Sequence, residues 1–315
     1  MKKAMKGNNG SGLRSYGFFP LHLSPLTCYL MLQFVFFTFY SYPAHAYLKG
    51  KVEAVIYGEK EIGAFNQPQA VYFDPQRKRL YLVDTLNDRL LSFDKQYKFL
   101  SAFNAEGRLK TPLAMVRDKK GRLIVTNKGD NSVLIINVKE KKINSLDLSH
   151  ISPPVIPHSL ALASNGCLCL LDKAYKRILI FSPETYKLQK IIEEKEASGF
   201  SDIKTNNNLV YALDPIFRKV FIYNQKGNFI RSIPLKNVSF PISLAVDRRE
   251  HLYILDEHEG KIFIFDKEGK PMGEIGKEGW KEGKLYSPRY ISIGSKNILY
   301  VVDTGNNRVE VFRIK

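Results

Sequence analysis

Five times along the chain an aspartate is followed, five residues later, by a basic residue: Asp84 and Arg89, Asp172 and Arg177, Asp214 and Lys219, Asp256 and Lys261, Asp303 and Arg308. A carboxylate beside a cation can bind a ligand or take part in catalysis. It can equally clamp the two arms of a hairpin, because an Asp–Arg pair meets through two parallel hydrogen bonds. A sixth copy carries Asn127 and Ser132 at the same places, so acid and base vanish together. That is expected of partners, since either charge left alone near a core is costly. A site used once needs no six copies, and the pairs are read as architecture.

The segments that carry the pairs are alike: "YLVDTLNDRLLSF", "IVTNKGDNSVLII", "CLLDKAYKRILIF", "YALDPIFRKVFIY", "YILDEHEGKIFIF" and "YVVDTGNNRVEVF", spaced by 42 to 47 residues. Each unit opens on a similar strand: "PQAVYF", "PLAMVR", "PHSLAL", "FSDIKT", "PISLAV" and "PRYISI". Proline is tolerated at such a strand entry because no ladder donor is needed there. Units of this length, rich in β-branched and aromatic residues, predict propeller blades of four strands each. The last unit stops at Lys315 after its third strand, while "KVEAVIYG", residues 51–58, is a strand without a unit. Pairing the two removes two sticky sheet edges. The expected fold is all-β: a six-bladed β-propeller of four-stranded antiparallel blades over residues 47–315, closed by the N-terminal strand 51–58 completing the C-terminal blade.

The stretch "LYVVDTGNNRVEVF", preceded by "SPRYISI" and by the glycine-spaced "GKEGWKEGKLYSP", resembles an NHL repeat. The likeness spans the chain after residue 46 and is strongest in the first, fifth and sixth units. It implies a six-bladed propeller, whose members range from interaction platforms to enzymes, so fold alone does not assign function.

On this topology the inter-blade loops and the turns after each second strand share one face, here called the top. Gln69, His158, Ser201, Asp202 and Arg289 are expected at the top mouth of the channel. Amidating-lyase relatives of the fold bind metal through several histidines, whereas here only His158 sits at a strand entry, and His251 and His258 fall on turns of opposite faces. Gluconolactonase-type propellers use a Glu/Asn/Asp set, and Asp202 has no matching Glu at a strand start. His158 is read as a hydrogen-bonded wall residue, and no metal or other cofactor is expected. No G-x-S-x-G, phosphate-loop or H-E-x-x-H motif is present. Trp280, the single tryptophan, lies in the long loop before the sixth unit. Its structural reading is packing over the neighbouring blade, and its functional reading is an anchor for a partner.

The first 46 residues stand apart. Lys2, Lys3, Lys6 and Arg14 precede the apolar run "LTCYLMLQFVFFTFY", and Ala44-His45-Ala46 fits a small-x-small cleavage site. The run is shorter than the ~20 residues a spanning helix needs. Residues 1–46 are therefore read as an export signal cleaved before Tyr47, with an uncleaved membrane anchor as the alternative. Either way the folded part is expected to be periplasmic or extracellular. Cys167 and Cys169, two apart on a strand, point the same way and are read as small buried hydrophobes rather than a disulfide.

The formal charge is +17, and +13 without residues 1–46. The excess falls on the bottom turns, chiefly Arg77, Lys78, Arg79, Arg117, Lys119, Lys120 and Arg122, whereas the top turns are close to neutral. A one-sided field attracts anions. Nucleic acid is not expected, because these turns lack stacking aromatics and the chain is exported. An anionic membrane surface suits the bottom, where the chain enters from its export segment. The sequence thus leads to an exported, monomeric, non-enzymatic propeller. It would take a protein or small-molecule partner on the top and place a basic bottom against an anionic envelope surface. A metal-dependent lyase or lactonase with its site in the channel is the alternative.

Overall fold

The computed structural model describes residues 47–58 and 61–315. The expected export signal or anchor, 1–46, lies outside the described residues. Six four-stranded antiparallel sheets follow one another along the chain. The first blade runs from its innermost strand Ala70–Asp74 through Arg79–Asp84 and Arg89–Phe93 to the outermost Phe99–Phe103. The second repeats this with Pro112–Arg117, Leu123–Asn127, Ser132–Asn137 and Lys142–Ser145.

The middle strands are buried on both faces. Leu123–Asn127 and Leu168–Asp172 have no solvent-facing residue, which is why they read as continuous apolar runs rather than as alternation. Outermost strands such as Leu188–Glu193 keep exposed positions. Each of six hydrophobic clusters draws on two neighbouring blades. Phe65, Val71 and Leu82 meet Val302 and Val309 across the first and sixth, and Val83 and Leu90 meet Met115 and Val125 across the first and second. The core is a ring of blade interfaces.

The ring closes through the two ends of the described chain. Gly50–Tyr57 is the outermost strand of the last blade, beside Arg308–Ile314, Ile298–Asp303 and the innermost Tyr290–Ile293. The pairing runs from Gly50 opposite Ile314 to Tyr57 opposite Arg308, with a bulge between Val52 and Ala54. Glu53, in that bulge, meets the Arg313 guanidinium with Nε–Oε2 at 2.6 Å.

The acid–base pairs divide by chemistry. In three blades arginine Nε meets the aspartate: Arg89–Asp84 at 2.7 Å, Arg177–Asp172 at 2.8 Å and Arg308–Asp303 at 2.9 Å. The same guanidinium then donates to carbonyls of the loop entering the blade. Arg89 reaches Ile62, Arg177 reaches Ser152, and Arg308 reaches Trp280, Lys281 and Lys284. The fork thus ties loop to hairpin, which a lysine's point charge cannot do. In the second blade the neutral substitutes still meet, Asn127 Nδ2 donating to Ser132 Oγ at 3.2 Å.

The two lysine pairs expected from the sequence do not form. Lys261 turns to Glu259 at 3.4 Å and Glu274 at 3.7 Å. Lys219 has no acidic partner among the described residues. Their aspartates are satisfied by backbone instead. Asp256 accepts from the amides of Ser239, Phe240, His258 and Glu259, and Asp214 from those of Ser198, Ile216 and Phe217. Four or so good donors leave such a carboxylate little need of a counter-ion.

Candidate functional site: the top mouth of the channel

The innermost strands reach the top at their entry residues, and three of them are bulged there, at 112–114, 157–160 and 241–243. A bulge re-aims side chains at a rim. Two residues after each entry position the six blades present Ala70, Ala114, Ser159, Asp202, Ser243 and Tyr290. All but Ala70 line one cavity, together with Gln69, His158, Ser201, Lys173 and Arg289. The structure thus brings Gln69, His158, Asp202 and Arg289 together, and leaves Trp280 out.

Asp202 is the hub of this site and is 2% exposed. Its Oδ1 accepts from Ser159 Oγ at 2.8 Å and from the Ile203 amide at 2.8 Å. Its Oδ2 accepts from Ser243 Oγ at 2.5 Å and the Leu244 amide at 3.2 Å, and it holds the Lys204 ammonium. One carboxylate therefore joins the third, fourth and fifth blades. Lys204 also lies 4.1 Å above the centre of the Tyr290 ring. Burial pulls the Lys204 ammonium down, but the Asp202 carboxylate and Tyr290 outweigh it and hold it above its usual value. Lys204 lies within the innermost strand Asp202–Asn206, and its side chain reaches back along the channel to Asp202.

His158 faces the same cavity with its Nδ1 buried and without a hydrogen-bond partner among the described residues. Burial first, then the charges of Lys173 and Lys128, lower its pKa to about 4 against the opposing pull of Asp202. It is a neutral imidazole at neutral pH. Arg289 is committed to Glu257, Nη1–Oε2 at 3.1 Å and Nη2–Oε1 at 3.0 Å. The sequence reading missed Lys173, Glu257, Ser159 and Ser243. The serines had a visible signal, since both stand two places after the entry proline in the blades flanking Asp202.

A divalent cation does not fit these donors. The Asp202 carboxylate already carries two hydroxyls, two amides and an ammonium, and His158 faces Lys173 and Arg289. Among the described residues no three His, Cys, Asp or Glu side chains converge. The cavity holds about 90 Å³, the share of some three water molecules at ~30 Å³ each. Pockets for drug-sized ligands begin near ~300 Å³. The mouth is a polar plug with room for a small group.

The outer top face differs. Trp280 is 72% exposed and touches Tyr286, ring centres 5.6 Å apart. The reading in which Trp280 packs over the next blade is therefore overturned, because Arg308 holds the loop by its backbone carbonyls and leaves the indole outside. Ile216 is 68% exposed, and Leu86, Tyr175, Phe217 and Phe240 are also exposed in top-face turns and loops. Phe240 stacks on His258 at 4.6 Å.

On the bottom, Arg77, Lys78, Lys119 and Lys120 are exposed and Arg79 half-buried. Two members of the expected basic set are corrected. Arg117 is only 9% exposed, because its guanidinium crosses to the first blade and meets Asp74 at 3.0 Å. Arg122 is paired with Asp118 at 2.6 Å and covered by Tyr186.

These features define a six-bladed β-propeller whose channel mouth is closed by a buried ion pair and a neutral histidine. No protein-family model matches the sequence, and no curated protein matches it. Solved structures match the fold. A streptogramin B lyase is 11% identical over 85% of this chain and 98% of that one, with a TM-score of 0.61. A catalytically inactive virginiamycin B lyase from Staphylococcus aureus, solved with quinupristin, is 12% identical over 78% and 80%, with a TM-score of 0.59. A gluconolactonase from Xanthomonas campestris is 11% identical over 79% and 86%, with a TM-score of 0.63. At these identities the likeness is one of fold.

Proposed function

We propose that the chain is an exported, non-enzymatic binding propeller of the NHL-repeat type. Its top face docks a protein partner and its basic bottom lies towards an anionic envelope surface. One observation carries this reading. Of thirteen large apolar side chains exposed among the described residues, seven stand on top-face turns and loops, and only Val138 stands on a bottom turn. Exposed aromatics, a tryptophan among them, are the composition of a protein-binding hot spot. Exposed lysines and arginines on the opposite face give the molecule two unlike sides.

Photo-reactive side chains placed at Phe217 and Trp280 in the exporting host test this. Discrete adducts of one size from both top positions, and none from Lys119 on the bottom, are expected. Equal adducts from both faces, or none from the top, would remove the docking role. The second reading is a metal-dependent lyase or lactonase, favoured by the activities named for the three neighbouring structures. It requires stoichiometric divalent metal in the purified protein, lost in His158→Ala. The commitment of Asp202 to Lys204 argues against it.

A further inference from the structure

A larger cavity lies outside the channel. Between the first and second blades a cleft of about 840 Å³ opens on the bottom face. We propose that this cleft binds a phosphate-bearing amphiphile, with the phosphate against Arg77, Arg79 and Lys139 and a short apolar portion against Phe103 and Val138. This goes beyond the bottom-face orientation proposed above. It concerns one discrete site, and it holds even if the domain never meets a membrane.

The charge of the cleft is uncompensated. Arg77, Arg79 and Lys139 have no acidic partner among the described residues, and Lys120 touches only the exposed Glu184, at 3.1 Å. Glu140 is the one carboxylate among the lining residues. Arg117 forms the inner wall. Its Nη1 is spent on Asp74, while its Nε, shielded from solvent, has no acceptor. An unsatisfied buried donor on a charged group is unfavourable and calls for an acceptor. Gly121 shapes the same wall. Its φ is +85°, and a Cβ there would lie 2.4 Å from Arg117 Nη2, so the turn passes directly over the guanidinium. Planar arginine forks suit phosphate oxygens.

The other wall is apolar. Leu90 and Phe103 of the first blade face Leu123 and Val138 of the second. Val138, 54% exposed, is among the described residues the one large apolar side chain exposed on the bottom turns, and it stands at this opening. Cations alone would suit free phosphate. Cations beside an apolar wall of this size suit a phosphate carried on a hydrocarbon.

The test uses soluble probes and the folded domain in calorimetric titration: dihexanoyl phosphatidic acid below its micelle concentration, its neutral phosphatidylcholine analogue, and inorganic phosphate. Saturable one-to-one binding of the phosphatidic acid is expected. It should weaken at least tenfold in Arg77→Glu/Arg79→Glu and again in Lys139→Glu, with unchanged circular dichroism and melting. Arg77 and Lys139 are on exposed turns and Arg79 is the half-buried first residue of its strand, so folding should survive. Val138→Asp should weaken the amphiphile and leave the weaker binding of inorganic phosphate unchanged. Equal binding of the neutral analogue, inorganic phosphate binding as tightly as the amphiphile, or indifference to the arginine reversals would each overturn the proposal.

Discussion

Glu310 breaks the repeat. Where the last blade has this acid, the other five have Leu91, Leu134, Leu179, Phe221 and Phe263. It is fully buried, 2.9 Å from Arg308 Nη2, and its Oε1 accepts the Gly283 amide at 3.2 Å. The hydrogens of that Nη2 already go to the Lys281 and Lys284 carbonyls, and Oε2 has no partner. Burial therefore raises its pKa from 4.5 to about 7, with Arg308 opposing. The folded state holds a proton that the unfolded state releases, so Glu310 adds stability below pH 4.5 that is lost as pH rises to about 7. At ~1.4 kcal/mol per pKa unit, the span is about 3 kcal/mol. His158 does the reverse. Its pKa falls from 6.5 to about 4, so its stability is full above pH 6.5 and is lost as pH falls to 4, again over about 3 kcal/mol. The two slopes cancel in the parent protein between roughly pH 4.5 and 6.5. Urea unfolding across pH 4.5–7.5 separates them. The stability of Glu310→Gln minus that of the parent should climb by about 3 kcal/mol with rising pH, and that of His158→Phe minus the parent should fall by a similar amount. A Glu310→Gln difference that does not change with pH would refute the buried, half-partnered carboxylate.

Two further outcomes follow from the ring and its staples. Deleting residues 51–58 removes the strand paired to Arg308–Ile314 and uncovers the last sheet, so the shortened domain should lack a cooperative melt, and a parent-like transition would contradict the latch. Arg177→Met should cost about 3–5 kcal/mol by leaving Asp172 buried and unpaired, whereas Lys261→Met should cost under ~1 kcal/mol because Asp256 already has backbone donors; urea midpoints of the two variants compare them directly.

The architecture was legible because it is repeated. Six copies of one pattern cancel local accidents, and the missing fourth strand pointed to 51–58 as its supply. The staples were legible as pairs but not as chemistry. Sequence treated lysine and arginine alike, whereas only the planar fork reaches both the aspartate and the loop carbonyls. The channel mouth was half legible. Entry residues gave its members, but Lys204 was lost because it joins the site through a long side chain that reaches back to Asp202, which residue spacing does not reveal. Glu257 was lost because no spacing rule ties a turn to an arginine 32 residues onward. Arg117 failed for a similar reason, its partner Asp74 lying in the preceding blade.

Departures from the repeat concentrate where the blades must do more than stack. Asp202 replaces a small residue and is held by hydroxyls from both neighbouring blades, so the fourth unit, weakest by pattern, is fixed through the channel rather than through an arginine staple. Glu310 replaces a leucine or phenylalanine beside Arg308, the residue whose guanidinium holds the loop presenting Trp280. Above pH 7 that carboxylate is ionised next to the staple and competes with the loop carbonyls for the same guanidinium. The top-face aromatic and the closing strand are thus governed by one arginine, since Arg308 stands opposite Tyr57 at the end of the latch. Loss of that arginine would loosen the Trp280 loop and the ring closure together, so the proposed docking face and the integrity of the fold depend on the same side chain.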